Sequence, residues 1–172
     1  NGKDVERFPL EFKDNITQPL AVFDYDKQRN YRLLITQNRN LLMYDSKGEP
    51  VKGFKYEAAQ TIGSQPKHFQ VRGKDYIVFS TGNQLKLLDR RGNNRVNVKE
   101  SIDFSGEAVY FYNSLFTTTN TKGDLIQVNT KGAVSRQKLG LDAKHNMTSS
   151  SKTLVTRSDN KLSIKSNSID LE

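Results

Sequence analysis

The chain has 172 residues, of which 34% are hydrophobic and 27% charged, with a formal net charge of +8 and neither cysteine nor tryptophan. A hydrophobic share below the roughly 45–50% of an average domain argues against one large core, and the missing cysteines exclude disulfides, thiol catalysis and cysteine-ligated zinc or iron–sulfur clusters. No apolar run approaches the roughly 18 residues of a membrane-crossing helix, no signal peptide opens the chain, and the nine Phe and seven Tyr are clustered, unlike in a disordered chain.

In chain order, Asn1-Gly2 reads as the end of a turn and Val5 to Phe12 (VERFPLEF) as a strand. Then come Leu20 to Asp24, Tyr31 to Thr36, LLMYDSKG at 41–48 and Val51 to Tyr56, with a polar turn at Gln37 to Asn40. The same succession recurs as His68 to Val71, Tyr76 to Ser80, LKLLDRRG at 85–92 and Val96 to Lys99, with a turn at Thr81 to Asn83. It recurs again as Ala108 to Tyr112, Leu115 to Thr119, LIQVNTKG at 125–132 and Val134 to Leu139, with a turn at Asn120 to Gly123. A last round has Asn146 to Ser149, Thr153 to Thr156 and LSIKSNSI at 162–169, with a turn at Ser158 to Asn160.

The first leucines of the four aligned segments, Leu41, Leu85, Leu125 and Leu162, are spaced 44, 40 and 37 residues apart, with Asp45, Asp89, Asn129 and Ser166 in register. Alternating apolar residues followed by Asp/Asn-x-x-Gly mark a strand that runs into a hairpin. Four short antiparallel strands in about 40 residues make a β-propeller blade. The expected fold is therefore all-β: about four blades, with units at 19–62, 63–105, 106–143 and 144–172, and essentially no helix, because no stretch keeps a three-to-four-residue apolar period. Residues 1–18 are expected to supply the fourth strand of a preceding blade, so that these blades form part of a larger propeller. Leu171-Glu172 reads as a cloning scar, with the natural chain continuing past Asp170.

Asp24-Tyr25-Asp26-Lys27-Gln28-Arg29-Asn30-Tyr31-Arg32 places oxygen-bearing side chains at alternate positions ahead of a strand, as hairpin calcium sites do. The segment resembles the calcium loop of FG-GAP (integrin-type) propeller repeats, which implies calcium ligands at Asp24, Asp26 and Gln28. It departs from that pattern at Arg29 and Arg32. A cation at the ninth position opposes calcium and can neutralise Asp24 or Asp26 itself, so the loop reads as a degenerate one with no metal. The other units carry no such carboxylate pair. The Gly-His and Trp-Asp pairs of WD repeats and the tryptophan motif of quinoprotein repeats are missing. The chain as a whole resembles, in architecture, bacterial propellers of the quinoprotein-like or outer-membrane-assembly kind.

Nucleophile elbows, P-loops and Rossmann glycines are lacking, and no enzyme activity or cofactor is expected. His68 and His145, one in each of two units, read as packing or hydrogen-bonding residues. Positive charge is even along the chain, and its densest cluster, Arg90, Arg91 and Arg95, falls in a turn. These arginines are the candidates for polyanion contact, with a solvated turn as the plainer reading and no specific nucleic acid expected. Phe23, Tyr25, Tyr31, Tyr76, Phe79, Tyr110, Phe111 and Tyr112 read as core between blades, not as a carbohydrate-stacking surface. Asn15-Ile16-Thr17 and Asn146-Met147-Thr148 are formal glycosylation sequons. The expected function is a non-catalytic scaffold that binds another protein in the bacterial periplasm or at the cell surface, with a cytoplasmic location, a carbohydrate or polyanion module, and part of a larger enzyme as alternatives. No small-molecule ligand is assigned.

Overall fold

The structure, a computed structural model, describes residues 2–3, 5–166 and 170–171. Strands β1 (Ala21–Phe23), β2 (Arg32–Gln37), β3 (Asn40–Asp45) and β4 (Tyr56–Glu57) form the first sheet. The second sheet contains β5 (Lys67–Val71), β6 (Lys74–Thr81), β7 (Gln84–Leu88) and β8 (Asn94–Asn97). β9 (Tyr110–Tyr112), β10 (Leu115–Thr119), β11 (Asp124–Val128) and β12 (Val134–Lys138) form the third, and β13 (His145–Ser149), β14 (Thr153–Ser158), β15 (Lys161–Ser166) and β16 (Asp170–Leu171) the fourth. Every sheet is an antiparallel meander in sequence order, and no helix occurs among the described residues, as the repeat predicts.

The repeat also fixes which face each residue presents. Thr36 pairs with Leu41, Ser80 with Leu85, Thr119 with Leu125 and Arg157 with Leu162, so the four leucines occupy one ladder position in four blades. Three residues before those partners stand Leu33, Ile77, Phe116 and Leu154, on the opposite face of their sheets by the two-residue period of a strand. Leu41 shares a buried layer with Ile77, Leu85 shares one with Phe116, and Leu125 shares one with Leu154. The trailing face of each blade thus buries its leucine against the leading face of the next. Burying one such side chain is worth roughly 1.5–3 kcal/mol, so three thin layers replace the single core that the composition forbids.

Asp45, Asp89 and Asn129 close their hairpins by one mechanism. The side-chain Oδ1 accepts the backbone N–H groups two and four residues on, at 2.8–3.1 Å, and the glycine N–H donates back to the carbonyl of the same residue. Asn120 does likewise in the β10–β11 turn. Gly92 and Gly132 both take φ of +86°, and a Cβ there would lie 2.7 Å from the Lys55 carbonyl oxygen and 2.6 Å from that of Asn97. Each of these turns presses on the outer edge of the preceding blade, which is why only glycine fits.

Several boundaries differ from expectation. Val5 to Phe12 is no strand: the chain turns at Glu6-Arg7, with the Phe8 N–H donating to the Val5 carbonyl, and Pro9 has no N–H for a ladder. Its place in space nevertheless matches the repeat, because Gly48 meets Arg7, Phe8 and Leu10 where Gly92 meets Lys55 and Tyr56 of the preceding blade. Val51 to Tyr56 shortens to Tyr56–Glu57, since Pro50 makes only an isolated bridge with Tyr44 and the chain turns at Lys52-Gly53. Val96 to Lys99 shifts to Asn94–Asn97, across a register irregularity at Leu87/Leu88, while Val98 turns inward as core. In the LSIKSNSI segment, 167–169 lie outside the described residues.

Candidate functional site at the first blade junction

Charged groups gather around the buried carboxylate of Asp75 where the first two blades meet. Tyr25 and Asp26 follow β1, His68 lies in β5, Asp75 in β6 and Arg90 in the turn after β7. Strand alternation sends His68 toward the first blade, and the Asp89 turn throws Arg90 back over β1. The His68 Nε2 lies 2.8 Å from Asp75 Oδ1, Arg90 Nε donates to Asp75 Oδ2 at 2.6 Å, and Arg90 Nη2 donates to Asp26 Oδ1 at 2.9 Å. The guanidinium sits 4.6 Å above the Tyr25 ring, whose edge meets the His68 ring at 4.7 Å.

Burial alone would raise the Asp75 carboxyl, but hydrogen bonds from Arg90 and His68 outweigh it and hold the carboxyl below its ordinary value. Burial lowers His68 below its ordinary 6.5, more than the neighbouring Asp75 raises it. A neutral imidazole beside a carboxylate that only accepts must carry its proton on Nε2. Burial would lower Arg90, yet its bonds to Asp75 and Asp26 raise it. Burial pushes the Tyr25 phenol well above its usual range, and its hydroxyl faces Met43 Sδ at 4.0 Å. The result is a fixed positive–negative ladder across the junction, with Arg90 bonded to both Asp26 of the first blade and Asp75 of the second.

The calcium-like loop is spent on itself. Asp24 accepts the backbone N–H groups of Gln28 at 3.2 Å and Arg29 at 3.0 Å, while Asp26 turns to Arg90. Arg32 donates to the Asn30 and Tyr31 carbonyls and to neither carboxylate, so the neutralising cation comes from the next blade. Asp24 and Asp26 thus serve different partners, with Gln28 bonded in the loop through its backbone N–H, and no group of three His, Cys, Asp or Glu that could hold a metal occurs among the described residues.

The arginine cluster is likewise dispersed. Arg90 is in the junction network, Arg95 lies 5.4 Å over the Tyr76 ring, and Arg91 remains in the turn, its backbone N–H bonded to Asp89. His145, buried at the third junction, bonds the Asp142 carbonyl through Nδ1 at 2.6 Å and the Thr119 hydroxyl through Nε2 at 2.7 Å. Among the aromatics expected in the core, Phe23, Tyr25, Tyr76, Phe79 and Tyr112 are buried, whereas Tyr31 is 42% exposed. It stands with Val22, 52% exposed, and with Val5, Phe8 and Leu33 around an open, largely apolar hollow of about 460 Å³ on the leading face of the first blade. A second hollow of about 300 Å³ runs from Leu20 to Asp24 and along Gln65 to His68, beside the charged network.

Sequence reasoning missed Asp75 and the exposed pair Val22–Tyr31. A carboxylate in an otherwise apolar strand, Lys74-Asp75-Tyr76-Ile77-Val78, was the available signal for the first.

No known family profile matches the chain, and no curated protein does. Solved structures do. The computationally designed Ika4 protein superposes with a TM-score of 0.67 at 12% identity, over 96% of this chain and 99% of that one. The BBS1N chain from its complex with ARL6DN gives 0.64 at 12% identity, over 92% of this chain and 56% of that one. The designed Ika8 protein gives 0.59 at 12% identity, over 86% and 44%. The chain therefore spans the length of Ika4 but only about half of BBS1N or Ika8. At such identities the likeness concerns the fold alone, and together with four sequential four-stranded sheets it makes this a β-propeller-type chain.

Proposed function

We infer that the chain is a non-catalytic propeller scaffold that binds another protein, working in a bacterial envelope protein at the periplasm or cell surface. The observation that carries this reading is the leading face of the first blade, where Val22 and Tyr31 stay exposed around an apolar hollow. Exposed apolar patches on otherwise polar proteins mark interaction surfaces. The titratable groups that could serve catalysis are engaged structurally: His68 and Asp75 with each other and with Arg90, and His145 with Thr119 and Asp142. Two further facts support the reading: BBS1N, of similar fold, was crystallised with a protein partner, and a chain without cysteine suits an oxidising compartment. A polyanion module would rely on the arginine turn, but Arg90 is already paired there.

A photo-crosslinking amino acid at Tyr31, in the full chain produced in a bacterial periplasm, tests the reading. A discrete protein adduct, identified by mass spectrometry and lost when Val22 becomes Lys, supports it. Absence of any protein adduct would overturn it.

A further inference from the structure

Leu41, Leu85 and Leu125 are 3%, 2% and 2% exposed, each sealed by the next blade, whereas Leu162 at the same ladder position is 55% exposed. Its counterpart on the first blade, Leu33, is only partly covered. Leu33, equivalent to Ile77, Phe116 and Leu154, lines the hollow on the first blade, with Val22 and Tyr31 exposed beside it. Among the described residues, none of the three buried layers joins the fourth blade to the first. The chain thus carries both halves of an interface that it already makes three times internally, a trailing face at Leu162 and a leading face at Leu33.

We propose that the occupant of each face is a second copy of this chain, Leu162 of one copy entering the Val22–Tyr31–Leu33 hollow of the other. This deepens the scaffold reading by naming the partner of that face. Two different patches meet, and a two-fold arrangement closes the pair by making that contact twice. The closed pair has eight blades, four from each copy. The Arg7–Leu10 segment, which lies against Gly48 where a preceding blade's outer edge belongs, has to move aside for β16 of the second copy.

Sedimentation velocity on the purified chain, with Leu162→Lys and Val22→Lys variants, tests the proposal. Both positions are solvent-exposed in the single chain, so both variants keep the parent's circular dichroism and the melting temperature that the parent shows when diluted to the monomer. The parent sediments as a dimer at tens of micromolar and each variant as a monomer. An equimolar mixture of the two variants regains a weaker dimer, because the trailing face of Val22→Lys and the leading face of Leu162→Lys are intact. A monomeric parent at that concentration, or variants that dimerise like the parent, would overturn self-assembly. A monomeric parent whose Tyr31 crosslinks to a different protein would sink only this inference. A dimer without any rescue on mixing would show that the trailing face of one copy does not meet the leading face of the other, and would refute the geometry.

Discussion

Replacing Arg90 by Met tests the junction network while preserving the aliphatic stem that packs on Tyr25. Asp75, whose side chain is 9% exposed, then keeps only the neutral His68 Nε2–H as a side-chain partner, and Asp26 loses its cation. Breaking a well-buried ion pair from one side costs about 3–5 kcal/mol. Arg90 is 39% exposed, so solvent screens the loss and the Asp75 part falls to about 2–3 kcal/mol. Asp26 is 50% exposed and adds less than about 1 kcal/mol. In a chain of this size each kcal/mol moves the midpoint by about 2–4 °C, so thermal denaturation of Arg90→Met should come about 5–10 °C early. Asp75→Asn removes the charge that Arg90 compensates, so the double variant should lose less than the two single losses added together. A melting temperature within about 2 °C of the parent, or strict additivity, would refute the claim that this ladder holds the first two blades together.

Further expectations concern the turns, the pH response and the calcium-like loop. Gly132→Ala places a methyl against the Asn97 carbonyl and should cost several kcal/mol by urea denaturation, whereas Gly53→Ala, with open space around it, should lose only about 1 kcal/mol from its positive φ. Because His68 is lowered in the folded state, the unfolded chain binds its proton first. Stability should therefore fall as the pH drops below about 6.5, and His68→Gln should flatten that limb in melts across pH 5–8. Asp75, Asp89 and Asp45 are also lowered, so a second loss should appear as the pH falls below about 4. Calorimetric titration with calcium should give no micromolar uptake, since Asp24 is saturated by loop amides and Asp26 by Arg90; micromolar binding would contradict that assignment.

Much of the fold was legible because local patterns repeat. The Asp/Asn-x-x-Gly motif gives the same hydrogen bonds at Asp45, Asp89 and Asn129, and Leu115–Thr119 forms with the expected bounds. The outer strands were less legible, because edge pairing depends on single donors: Pro50 and Pro9 lack the N–H that the apolar pattern around them presupposes. The charged junction was hidden for a different reason. Arg90 and Asp26 are 64 residues apart, so the cation that neutralises the loop could be expected in kind but was assigned to the nearby Arg32. Tyr31 reads as core in a strand pattern that cannot tell a face covered by a neighbour from one left open.

The account rests on blades stacked so that one ladder position always faces the following blade, and a chain without cysteine makes that directly measurable. Single cysteines at positions 41, 85, 125 and 162, probed in dilute native solution with a thiol-specific reagent, should divide sharply. Leu41→Cys, Leu85→Cys and Leu125→Cys should react only as fast as the chain opens, and Leu162→Cys should react nearly as fast as a free thiol. Equal protection at all four positions in the dilute monomer, or ready labelling at 85, would contradict the stacking.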